Sequence, residues 1–199
     1  MPFIDSCPDA EFAALCDLDI GRARELNDEF FADVPEDSRP RLYDDYNKMI
    51  ADEALDMVIA GTLAAARPAM TIAALEAGIP VLAAKPMAPN LKDAEALLNA
   101  AEKSNTLLMV GYNYRFRDDA LAVHKFISNG GIGDPLFARA WIHSPNIPNY
   151  APHYKRSVSG GGALASTGVH TLDLAVWFLG CPKLKQVEGV SNAHFDVFD

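Results

Sequence analysis

The apolar residues of this chain fall into two rhythms. In the first half, short unbroken apolar runs alternate with longer mixed ones. Phe12–Cys16, Leu42–Tyr43, Asp56–Ala60, Val81–Ala84 and Thr106–Val110 read as strands. Between them, Gly21–Phe31, Asp45–Asp52, Ala64–Ala77 and Leu91–Lys103 read as helices. The punctuation agrees with this division. Gly78 is placed to cap the alanine-rich third helix, and Pro80 stops any continuation. Asn90 can cap the fourth helix, with Asp93 near its positive end. Strands without polar alternation, each followed by a helix, indicate a parallel sheet covered on both faces.

Past Arg115 the rhythm changes. Asp118–Ser128 reads as a helix stopped by Asn129-Gly130-Gly131. Pro135–His143 (PLFARAWIH) alternates in part and predicts a strand of a different kind. A polar, proline-rich loop covers residues 144–159. Gly160-Gly161-Gly162 then opens a strongly apolar helix to about Leu179, ended by Gly180. Gln186–Ala193 predicts a last strand. The change of rhythm places a domain boundary near residue 117, dividing the chain into 1–117 and 118–199. There is no internal repeat.

Composition narrows the function. The 199 residues carry 17 Lys+Arg against 27 Asp+Glu, a net charge of −10, which repels nucleic-acid backbones and anionic lipid. No run of about 18 apolar residues exists, and the N-terminal stretch has acids where a signal peptide needs basic residues. Neither a nucleic-acid nor a membrane partner is therefore expected. The scattered Cys7, Cys16 and Cys181 form no disulfide framework and suggest a reducing, cytoplasmic setting. Without CxxC or HExxH, no metal site is expected.

Three clusters carry candidate chemistry. Ala84-Lys85-Pro86 ends a predicted parallel strand, where open α/β sheets bind ligands. Lys85 there can be held in a crevice, or can be a solvated surface lysine before a turn. Gly111-Tyr112-Asn113-Tyr114-Arg115-Phe116 follows the next strand and offers Asn113 and Arg115 as donors, or simply packs aromatic rings against the second half. In the glycine-led helix, Ser166, His170 and Asp173 fall within about 60° of one another. The opposite arc, Leu164, Val169, Leu172, Val176 and Leu179, predicts a helix otherwise buried. A histidine on such a stripe can move a proton near neutral pH, with Asp173 orienting it. It can equally be a satisfied core residue.

Together and in order, these segments resemble the glucose-fructose oxidoreductase / inositol dehydrogenase / rhizopine-catabolism oxidoreductase family. The likeness is strongest in AALEAGIPVLAAKPMAPNLKDAEALL, LLMVGYNYRF and GGGALASTGVHTLDLAVWFLG. It implies a dinucleotide-binding domain followed by an open-sheet α/β domain, and hydride transfer between NAD or NADP and a sugar, cyclitol or other small polyol. The family's Glu-Lys-Pro falls on Ala84-Lys85-Pro86, which implies a cis Lys85–Pro86 bond. Its Asp-x-x-x-His falls on Ser166 and His170. By the resemblance, Lys85 and His170 are the catalytic pair. Asn113, Arg115, Ser166 and Asp173 contact substrate. Asp17, Thr62, Lys85 and Asn113 contact the cofactor. A carboxylate at position 17 favours NAD, although Arg22 and Arg24 lie nearby.

The sequence also departs from that pattern. Ala84 and Ser166 stand where the family has carboxylates, and Leu63 replaces a proline after Thr62. No GxGxxG occurs, and a dinucleotide fold places one about 20 residues before the ribose acid. The fold expected is α/β: an incomplete Rossmann-like parallel sheet, its first strand and glycine-rich loop missing, followed by the start of an α+β open-sheet domain. The chain reads as an internal slice of a larger enzyme, with impaired activity when alone. The alternative is a non-catalytic remnant or binding subunit that keeps the fold. Open sheet edges favour a homo-oligomer.

Overall fold

A computed structural model of the chain describes residues 7, 9–143, 158 and 161–190. Its strands are β1 (Ala14–Cys16), β2 (Arg41–Tyr43), β3 (Val58–Ala60), β4 (Val81–Ala83) and β5 (Leu108–Val110). Its helices are α1 (Ile20–Phe30), α2 (Tyr46–Asp52), α3 (Arg67–Glu76), α4 (Leu91–Ser104), α5 (Asp118–Ser128) and α6 (Val169–Phe178). A π turn, Leu164–Gly168, leads into α6, and a 3-10 turn, Asn113–Phe116, joins β5 to α5.

Local chemistry explains the boundaries. The Asp19 and Asp45 carboxylates accept the backbone N–H of Gly21 and Asn47, capping α1 and α2. The Asn90 side chain accepts from the Asp93 N–H at 3.0 Å and starts α4. At the other end Asn105 turns left-handed (φ 50°) and closes it. Gly78 does the same after α3 at φ 78°.

All strand pairs are parallel, and they form two sheets, β1–β2 and β3–β4–β5. In the doubly wound order 3-2-1-4-5-6, the pair β2–β1 fits positions 3-2 and β3–β4–β5 fits 4-5-6. None of the described residues fills position 1, between β1 and β3. The two sheets nevertheless share one core. Val58, Ala74, Leu75, Ile79 and Val81 form its centre, and Ala14 and Cys16 of β1 pack against it. Leu75 and Leu97 are fully buried, each worth about 1.5–3 kcal/mol of apolar transfer.

Three expectations need correction. Parallel β3–β5 are not covered on both faces: Ile59 and Met109 point to solvent, because no helix lies over that side of the sheet among the described residues. Pro135–His143 is not a strand. Alternating apolar residues supply a face but no ladder partner, and no described strand lies beside them; Leu136 is 90% exposed. Gln186–Val190 likewise forms no strand, and residues 191–193 of that predicted element lie outside the described residues, as do Gly160 and most of the 144–159 loop. The third correction concerns α6. Of its polar stripe His170 and Asp173 are buried, whereas on the apolar arc Leu172 and Val176, with Leu164 of the preceding turn, are exposed and Val169 and Leu179 only half-buried.

Candidate active site

The strand ends of β3, β4 and β5 open onto a cleft of about 370 Å³. Its walls include Ile59, Ala83, Lys85, Gly111, Asn113 and His170. This is the crevice beyond the carboxyl ends of a parallel sheet, where such folds bind ligands. Lys85 enters from the turn after β4, at a cis Lys85–Pro86 bond. His170 enters from α6, 85 positions further along. The two halves meet where the Lys85 ammonium donates to the backbone carbonyl of Ser166, in the π turn. Such widened turns often occur at functional positions.

The turn Asn113–Phe116 fastens α6 in place. Tyr114 stacks on the His170 ring, with centroids 4.3 Å apart. Arg115 forms a two-pronged pair with the Asp173 carboxylate at 2.7 and 2.6 Å, and its guanidinium lies 5.5 Å from the Trp177 ring centre. Successive residues of the turn therefore grip positions 170, 173 and 177, one face of the helix. The local sequence accounts for this: an aromatic ring and a planar cation side by side match an imidazole, a carboxylate and an indole at helical spacing.

Electrostatics divide the pair of catalytic candidates. Burial pushes the Lys85 ammonium below the ordinary lysine range, and the charge of Arg67 adds to the effect. Burial also lowers His170, helped by the Lys85 charge and opposed by Asp173. His170 is 8% exposed, and its Nδ1 has no partner among the described residues. A neutral imidazole beside an ammonium can take a proton from a hydroxyl that the ammonium holds.

The remaining sequence-predicted residues divide as follows. Asn113 lines the cleft. Ser166 contributes its carbonyl. Asp173 and Arg115 are engaged with each other, so Asp173 holds the helix through Arg115 rather than bonding to His170. The Thr62 hydroxyl donates to the Met70 sulfur at 3.3 Å. Asp17 stands at the end of β1, on the other sheet, where it accepts from the Asp19 N–H at 3.0 Å and lies 3.9 Å from Arg22. Sequence reasoning missed Arg67. It is the one basic residue between Gly61 and Ala84, and that isolation within an apolar helix was the available signal.

These residues fit part of a dinucleotide. The cleft beside Lys85 and Asn113 can take the nicotinamide end, and Asp17 can take the adenosine ribose. No glycine-rich cradle for the pyrophosphate is present among the described residues.

Comparison with known proteins agrees with this architecture. Residues 1–112 match the family described as "Oxidoreductase family, NAD-binding Rossmann fold", and residues 120–198 match the "GFO/IDH/MocA C-terminal domain". The chain belongs to this NAD-binding oxidoreductase family. It is 31% identical to D-apiose dehydrogenase of Paraburkholderia graminis over 172 residues, which cover 86% of this chain and 44% of that protein. It is 28% identical to D-glucoside 3-dehydrogenase of Escherichia coli over 188 residues, covering 94% of this chain and 50% of the other. Among solved structures, an oxidoreductase from Agrobacterium radiobacter in complex with NAD+, L-tartaric acid and magnesium superimposes with a TM-score of 0.74 at 27% identity, over 90% of this chain and 50% of that one. The chain thus spans about half the length of the curated relatives it matches.

Proposed function

We propose that this chain carries the reacting half of an NAD-dependent dehydrogenase acting on a secondary hydroxyl of a sugar or related polyol. The reading rests on one observation: Lys85 and His170 line the same cleft at the strand ends. Lys85 donates a hydrogen bond to the substrate hydroxyl oxygen and stabilises negative charge as the proton leaves. His170 accepts that proton, which its burial and the Lys85 charge keep it free to do at neutral pH. Asn113 orients a neighbouring substrate hydroxyl. NAD, when bound, supplies the hydride acceptor for the substrate carbon. The acidic chain works in the cytoplasm on a small neutral substrate. Residues 1–117 serve the cofactor, and residues 118–199 serve the substrate and a homo-oligomeric contact.

Titrating the purified chain with NADH tests the reading. A saturable change in nicotinamide fluorescence, weakened in Lys85→Met, is expected. No change at millimolar NADH, with circular dichroism showing a folded chain, overturns it. Ala84 and Ser166, which stand where the family has carboxylates, favour a second reading, a subunit that binds a polyol and turns nothing over. Its signature is polyol binding by calorimetry without a nicotinamide response.

A further inference from the structure

Arg67 begins α3 and is 3% exposed. Its Nη1 donates to the carbonyl of Ala84 at 2.8 Å and to that of Pro86, and its Nη2 donates to the carbonyl of Thr62. No carboxylate pairs with it among the described residues, and its Nε has no partner there. The arrangement is costly for a purely structural tie. A buried cation without a counter-ion is hard to desolvate. It also sits at the positive end of a helix, where the macrodipole disfavours it. A planar fork that keeps its charge when buried is the side chain able to reach three carbonyls from two loops at once.

Two of those three carbonyls, Ala84 and Pro86, flank Lys85. We propose that Arg67 is a positioning residue for Lys85: its guanidinium pins the backbone on both sides of that lysine and so fixes the direction in which the ammonium enters the cleft. The inference rests on the assignment of Lys85 to the reacting hydroxyl. The guanidinium also acts at a distance. Burial pushes the Arg67 guanidinium itself down, but from so high a value that it stays charged near neutral pH. Its charge then works against the Lys85 proton. Among the described residues, the titratable groups facing Lys85 are Arg67 from α3 and His170 from α6, while the buried carboxylate of α6, Asp173, is held by Arg115. The lysine that donates to substrate therefore has a charged neighbour, Arg67, that sharpens its acidity, and beside it a neutral imidazole.

Competitive acetylation of the intact chain with trace acetic anhydride, read by mass spectrometry across pH, tests this without cofactor or substrate. In Arg67→Met, the midpoint of Lys85 labelling rises toward that of the surface lysines Lys92 and Lys103, and its plateau labelling rate increases as the turn loosens. In Arg67→Lys, which keeps the charge and loses the fork, the midpoint stays near that of the parent chain while the plateau still rises. A folded Arg67→Met chain whose Lys85 midpoint and plateau both match the parent overturns the proposal. If Arg67→Met does not fold, an unchanged Lys85 plateau in Arg67→Lys overturns it. Labelling reads Lys85 directly, so its outcome is separate from the NADH titration. An altered Lys85 in a chain that never binds NADH leaves this link standing and removes the dehydrogenase reading. An unaltered Lys85 in a chain that binds NADH does the reverse.

Discussion

The two parts of the molecule are held by different forces. The part built on β1–β5 has a layered apolar core in which Leu75, Leu97 and Val81 lose all contact with water. The part built on α5 and α6 is attached through polar and aromatic groups. Its buried members among the described residues are the small Ala120 and the polar His170 and Asp173, and larger apolar residues such as Leu172 face outward at 50% exposure. Hydrophobic burial fixes the first region non-directionally. The second depends on a few directional contacts to Tyr114 and Arg115. The cleft lies on the seam, so its lysine wall is rigid and its histidine wall is only as firm as that grip.

Core truncation should produce the largest contrast between the regions. Leu75→Ala removes a fully buried side chain and is expected to cost about 2–5 kcal/mol in urea unfolding. Leu172→Ala, on the outward arc of α6, should stay within about 0.5 kcal/mol. Equal costs would mean that α6 has a buried apolar face after all, and the comparison would fail.

Next in size is the grip on α6. Asp173→Asn keeps the shape but removes the charge that answers Arg115. A loss of about 1.5–3 kcal/mol is expected for hydrogen bonds between charged partners, discounted because the guanidinium is partly exposed. The loss should be local. Amide exchange should speed in α6 peptides and stay unchanged in α3 and α4. Uniform acceleration would show that the two regions unfold as one unit.

The same contrast decides how much was legible in the sequence. Where a segment carries its own instructions, reading succeeded. Asn90 caps α4, Gly78 ends α3, and the apolar run Val81–Ala84 places Lys85 at a strand end. Where structure needs a partner, reading failed. The alternation in Pro135–His143 specifies a face for a strand that has nothing to pair with among the described residues. The apolar arc of α6 promised burial that the surroundings do not provide. In the site, the order of Lys85, Asn113 and His170 along the chain was enough to bring them to one cleft. The Arg115–Asp173 pair spans 58 positions, and Arg67 acts only on backbone carbonyls, which carry no mark of identity in a sequence.

A smaller effect tests the seam at the level of the fold. Asn90→Ala removes one cap in the first region and should cost about 1 kcal/mol, measured by urea unfolding. Because α4 is anchored by Leu97 and Ala100 in the core, the loss should leave His170 unaffected. An altered His170 titration in that variant would show that the regions communicate through more than the turn at 113–116.

The finest probe is the pH dependence contributed by His170. Its folded value is lowered by burial and by the Lys85 charge. Near and below the ordinary histidine range the unfolded chain therefore binds a proton that the folded chain resists. With more protons bound when unfolded, stability rises with pH in that window. The contribution is fully present above the unfolded value and is lost as pH falls through it toward the folded one. His170→Gln should flatten this part of the stability curve while sparing the carboxylate-driven loss at lower pH. Lys85→Met should act in the same direction and less strongly, since burial is the larger cause of the His170 shift and the lysine charge the smaller. A curve that keeps its slope in both variants would mean that the imidazole is as well solvated in the folded chain as in the unfolded one. The imidazole would then not be buried beside the lysine as the fold places it.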